Sequence, residues 1–93
     1  MDYTPEKLDE IAELAESLTP ISDIALLLRL DVNELRKDLK DHESIVSDVY
    51  RAGKARGMLA VRKAAIKKAT DGDLSATTMV HHFHSIMEDD ENL

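Results

Sequence analysis

The apolar positions of this chain recur at three- and four-residue intervals nearly throughout, the period of helices rather than of strands. Leu8, Ile11, Ala12, Ala15 and Leu18 share one face and predict a first helix. Ile21, Ile24, Ala25 and Leu28 predict a second, and Val32, Leu35 and Leu39 a third. Thr4-Pro5 and Thr19-Pro20 mark the first two starts, since a threonine oxygen can cap free N–H groups and proline suits the first helical position. Asp31, with Glu34 three residues later, is an acidic variant of the capping box and starts the third helix.

A proline-free stretch from Ser44 to about Ala69 predicts one long helix capped by Ser44. Val46, Val49, Tyr50, Gly53, Gly57, Ala60, Val61 and Ala64 form its main apolar stripe. Ile45, Ala52, Leu59 and Ile66 form a weaker second one, so two neighbours are expected. Gly72 ends this helix and Asp73 or Ser75 caps the next, whose inner face is Ala76, Met79, Val80, Phe83 and Met87. The expected fold is all-α: an N-terminal helix-turn-helix three-helix unit (1–42), then a long basic helix and a final helix forming a hairpin (44–88). The acidic tail 89–93, at a helix C-terminus where the macrodipole disfavours it, is expected to fray. All of this makes a single domain, 1–93.

Composition narrows the function classes. The chain has no cysteine and no tryptophan, one phenylalanine and two tyrosines. Disulfides and thiolate metal sites are excluded, and the core must come from aliphatic residues. A chain this short buries only about 60–65% of its unfolded surface, so burial in an oligomer is attractive. The start "MDYTPEKLDE" lacks the basic and apolar regions of a signal peptide, and no apolar run is long enough for a membrane span. A cytoplasmic protein without membrane contact is expected.

The net charge of −7 argues against a polyanionic partner until it is divided along the chain. Residues 1–43 carry −7, residues 44–69 carry +6 and residues 70–93 carry −6. A strongly basic segment is thus hidden in an acidic chain, and local field decides where a phosphate docks.

The segment "DIALLLRLDVNELRKDL" fits a helix-turn-helix. Ala25 is the small residue at the helix crossing, and Ile24, Leu28, Leu30 and Leu35 are the apolar residues around the turn. Arg29 stands where such turns usually place glycine to adopt a positive φ. A non-glycine there costs on the order of 1 kcal/mol, or the turn has another shape. Asn33, Arg36, Lys37 and Lys40 would face a major groove. Thr19 and Ser22 would donate to a phosphate at the start of the second helix. Arg51, Lys54, Arg56, Arg62 and Lys63 would hold flanking backbone. Glu34, Asp38 and Asp41 oppose this reading, because acids repel phosphates. The competing structural reading is a three-helix packing unit whose charges merely solvate its surface.

The order of elements resembles that of phage and prophage terminase small subunits and related homeodomain-like prophage proteins. "ISDIALLLRLDVNELRKDL" is similar to their helix-turn-helix. "VYRAGKARGMLAVRKAAIKKATDGDLSATTMVHHF" is similar to the segment that follows, with its aromatic, Gly-x-x-x-Gly, basic run, Gly-Asp and closing helix. The similarity spans roughly Leu18 to Phe83. It implies double-stranded DNA as partner and assembly as a homo-oligomer, a dimer or higher.

Two other features need weighing. Gly53 and Gly57, beside Tyr50, let another backbone approach closely: either a helix of the same chain or a second copy. His81, His84 and Glu88 share one helical face with zinc-competent groups, but a solvated polar face is the expectation, with no metal and no cofactor. No cysteine nucleophile, no phosphate loop and no pair of acids with an evident pocket suggests an enzyme. The alternative to DNA binding is a non-enzymatic interaction or oligomerisation adaptor whose basic helix meets an acidic protein partner.

Overall fold

The computed structural model describes residues 2–92, and among them every regular element is helical. The order is α1 (Pro5–Glu16), α2 (Ile21–Leu28), α3 (Val32–Lys40), α4 (Ile45–Thr70) and α5 (Leu74–Glu91). None of these helices is long and apolar enough to cross a membrane. The chain divides into two compact units, one up to Met58 and one from Leu59 on, so the division falls inside the residues of α4.

In the first unit, Ile11, Ile24, Ala25, Leu35, Leu39 and Val46 form a buried cluster. Each of α1 to α4 contributes to it, at the helical spacing expected of inward faces. Tyr3, Leu8, Leu28, Leu30, Val32 and Tyr50 pack around it. The caps follow their sequence signals at three helix starts here. Thr4 accepts from the Lys7 N–H at 3.1 Å. Asp31 accepts from the N–H groups of Asn33 and Glu34 at 2.9 and 3.0 Å. Ser44 Oγ accepts from the Ser47 N–H at 3.2 Å.

The second helix departs from expectation. Pro20, at φ −61° and ψ 151°, is the residue before the helix rather than its first residue, and no side chain caps α2. Thr19 is instead part of the closure of α1: its N–H donates to the Leu14 carbonyl while the Leu18 N–H donates to Ala15. Leu18 therefore does not extend the face of α1. It turns into the left-handed region at φ 58°. The end of α2 repeats this closure, with Arg29 at φ 57° and ψ 44° and the Leu30 N–H donating to Ala25 at 2.8 Å. Arg29 thus adopts the left-handed conformation that glycine usually supplies. The Lys7 ammonium also donates to the Leu28 carbonyl at this helix end, where the dipole favours a cation.

In α4 the main stripe holds as far as Gly57: Val46, Gly53 and Gly57 are buried, and Val49 and Tyr50 half-buried. Beyond it Ala65 is buried and Val61 half-buried, while Ala60 and Ala64 are exposed. The second stripe does not find a neighbour along its length, for Ile45, Leu59 and Ile66 are all exposed and only Ala52 is half-buried.

In the second unit, Gly72 at φ 93° ends α4, and Asp73 caps α5 by accepting from Ala76 N–H at 2.9 Å. Ala76 is buried and Val80 and Phe83 are half-buried, but Met79 and Met87 lie exposed. The helix runs to Glu91, so Asp89, Asp90 and Glu91 continue it rather than forming a separate tail.

Candidate functional site

The expected contact residues of α3 are solvent-exposed. Asn33, Arg36, Lys37 and Lys40 are all exposed, while Leu35 and Leu39 anchor the opposite side in the core. Ser22 is exposed on α2 and Thr19 half-buried before it. The acids of α3 are partly committed elsewhere: Asp31 caps the helix, and Asp38 accepts from the Tyr3 hydroxyl at 2.7 Å. Burial, then the Asp38 carboxylate, raises the Tyr3 pKa well above its ordinary value.

A hollow in the first unit is lined by Ile21, Arg36, Leu39, Lys40, His42, Tyr50, Arg51 and Lys54. Two cations come from α3 and two from α4, residues far apart in sequence. The lining contains no carboxylate. The apolar side chains of Ile21, Leu39 and Tyr50 belong to helices that also build the core, so the wall rests on fixed elements. Four basic side chains are thus gathered in one hollow of an acidic chain.

Arg51 is held in place. Its Nε donates to Ser47 Oγ at 3.2 Å and its Nη2 to the His42 carbonyl at 3.0 Å. Ser47 is fully buried and donates in turn to the Leu39 carbonyl at 2.9 Å. Ser44 Oγ lies 2.8 Å from the carbonyls of Asp38 and Asp41 and shares its proton with them. Ser44 and Ser47 thus satisfy two of the carbonyls that α3 leaves unpaired at its C-terminus, those of Asp38 and Leu39. Ser47 and the His42 carbonyl also hold the Arg51 guanidinium against the α3–α4 turn.

The hollow gathers Arg36, Lys40, Arg51 and Lys54 and leaves other candidates outside. Arg56 is exposed on α4 within the first unit. Arg62 and Lys63 belong to the second unit, where the Arg62 guanidinium lies 5.6 Å from the centre of the Phe83 ring. His42 and Ser47 escaped the sequence reading. His42 enters through the path of the α3–α4 turn, which no motif announces. Ser47 carried a readable signal, a small polar residue beside Val46 on a largely apolar stripe.

The glycine pair is occupied within the chain. A β-carbon on Gly53 would strike the Ala12 carbonyl oxygen, and one on Gly57 the Glu16 carbonyl oxygen. Helix α1 is thus the neighbour that these glycines admit. His81, His84 and Glu88 are exposed on α5, with His84 Nδ1 3.1 Å from the Glu88 carboxylate. No group of three or more potential metal ligands occurs among the described residues.

The chain matches no protein-family model, no curated protein and no solved structure.

Proposed function

We propose that this is a non-enzymatic DNA-binding protein of prophage type in which α2, the Arg29 turn and α3 form a helix-turn-helix that contacts double-stranded DNA. The observation that carries the reading is the hollow in which Arg36, Lys40, Arg51 and Lys54 converge without a carboxylate. The turn supports it, because Arg29 takes the left-handed geometry and Leu30 closes back on Ala25. In this reading Asn33, Arg36, Lys37 and Lys40 face the major groove and Arg51 and Lys54 hold adjacent phosphates. Thr19, Ser22 and Arg56 supply flanking backbone contacts. The resemblance to terminase small subunits supports the same partner.

Fluorescence anisotropy of a labelled duplex over a salt series tests it. Three phosphate contacts, from Arg51, Lys54 and Arg56, give a log–log slope of about −3. Arg51→Ala with Lys54→Ala flattens that slope by about two. No binding to any duplex at low salt overturns the proposal.

A second reading, the protein-interaction adaptor, rests on Leu26 and Leu27, adjacent on α2 and 76% and 62% exposed. Such side chains fit a protein groove better than a phosphate backbone. It gains if duplex binding is absent while Leu26→Ser with Leu27→Ser abolishes association with a partner protein.

A further inference from the structure

The basic hollow of the first unit contains one side chain whose charge depends on pH. His42 lines it together with Arg36 and Lys40 of α3 and Arg51 and Lys54 of α4. The residue is exposed in the α3–α4 turn, and its carbonyl accepts from Arg51 Nη2 at 3.0 Å. The turn therefore holds the histidine backbone beside a guanidinium. Arginine and lysine keep their charge throughout the physiological range, whereas an imidazole ordinarily gains or loses its proton between pH of about 5 and 8.

The charged groups that share the hollow with His42 are all basic, and α2 adds only the apolar Ile21. Asp41 and Glu43 flank His42 in the chain, and Asp48 follows on α4, but none of the three lines the hollow. Asp41 instead accepts from the Glu43 N–H at 3.1 Å, within the turn. On α3, Asp38 accepts from the Tyr3 hydroxyl and is likewise outside the lining. The imidazole thus has no carboxylate to share its proton with inside the hollow. A phosphate entering there brings the missing negative charge, which favours the imidazolium. By linkage, the protonated ring favours the phosphate by the same factor.

We infer that His42 is a proton-coupled phosphate contact: the hollow takes up a proton as duplex DNA binds, and the protein holds DNA more tightly as pH falls from about 8 to about 6. This coupling rests on the DNA-binding reading of the same hollow and adds to it a control by pH. The remaining histidines, His81, His82 and His84, belong to α5 in the second unit and do not line the hollow. His42 is therefore the residue through which a change of pH in this range acts on the site.

Fluorescence anisotropy of a labelled duplex with the full chain, at constant ionic strength and at pH of about 8 and about 6, tests the coupling. One phosphate contact changes affinity about eightfold at about 0.1 M salt, so wild type should bind about fivefold more tightly at the lower pH. Its log–log salt slope should steepen there by a little under one. His42→Gln keeps the backbone carbonyl that Arg51 uses, and it should match wild type near pH of about 8 while losing most of the tightening near pH of about 6. His42→Lys is charged at both values and should bind near pH of about 8 as tightly as wild type does near pH of about 6. All three proteins keep the α5 histidines and the same carboxylates, so any effect of overall charge is common to them. Circular dichroism should show both variants folded, because the His42 side chain is exposed. Duplex binding with the same pH response in wild type and His42→Gln overturns the coupling and leaves the DNA-binding reading standing. Absence of duplex binding at both pH values overturns the two together.

Discussion

The carbonyl oxygen of Glu16 occupies the place that a β-carbon on Gly57 would need, and Leu18 Cδ2 stands 3.0 Å from the same position. The obstacle is backbone, which cannot swing aside as a side chain can. Gly57→Ala gains about 1 kcal/mol of helix propensity, yet it must push α1 outward or bend α4. Overpacking of this kind costs about 1–3 kcal/mol and here exceeds the propensity gain. Urea denaturation should show a lower midpoint with an unchanged slope.

Arg29 should behave in the opposite way. Its φ of 57° carries the left-handed penalty of about 1–2 kcal/mol, part of which glycine returns through greater freedom of the unfolded chain. Arg29→Gly is therefore expected to stabilise the protein by about 0.5–1 kcal/mol. Leu18→Gly, at φ 58°, should not, because the Leu18 side chain packs near Gly57 and its contacts would be lost. Thermal melts of the two variants should move in opposite directions.

What the sequence made legible follows from how local each signal is. Thr4, Asp31, Ser44 and Asp73 cap helices with groups a few residues away, so their roles can be read from spacing. The inward faces of α1 to α3 were legible for the same reason. Thr19-Pro20 carried the same signal as Thr4-Pro5 and gave a different result, because Thr19 was already committed to closing α1. The stripe of α4 drifted after Gly57, where α1 no longer sets the buried face and Ala65 replaces Ala64. At the candidate site, the exposure of Arg36, Lys37 and Lys40 was legible from helical period. The convergence of α3 and α4 cations was not, since it depends on the α3–α4 turn and on Arg51 being tied to His42.

The Tyr3–Asp38 hydrogen bond predicts a pH dependence at the alkaline side. Burial and the neighbouring carboxylate raise the Tyr3 pKa above the value near 10 of an exposed tyrosine. The unfolded chain loses that proton first, so the contribution is complete below pH of about 10 and declines as pH rises further. Tyr3→Phe should cost about 1.5–3 kcal/mol at neutral pH, the range for a hydrogen bond to a charged group. It should also flatten the loss of stability above pH of about 10. Denaturation midpoints for both proteins across the alkaline range check the two effects together.

Arg51 and Lys54 line the same hollow but should separate by what else they hold. Arg51 bonds to the buried Ser47 hydroxyl and the His42 carbonyl, and among the described residues no bond of this kind ties Lys54. Lys54→Ala should leave the unfolding free energy within about 0.5 kcal/mol of wild type, as surface substitutions do. Arg51→Ala should cost about 1–2 kcal/mol, because it removes two charge-assisted hydrogen bonds, one to Ser47 on α4 and one to the His42 carbonyl of the α3–α4 turn. If both cations contact phosphate, each variant flattens the salt dependence of duplex binding by about one unit of slope. Arg51→Lys restores the charge without the planar fork, so it should recover slope but not stability. Equal stability losses in Arg51→Ala and Lys54→Ala would show that the Ser47–Arg51–His42 contacts do not hold the turn.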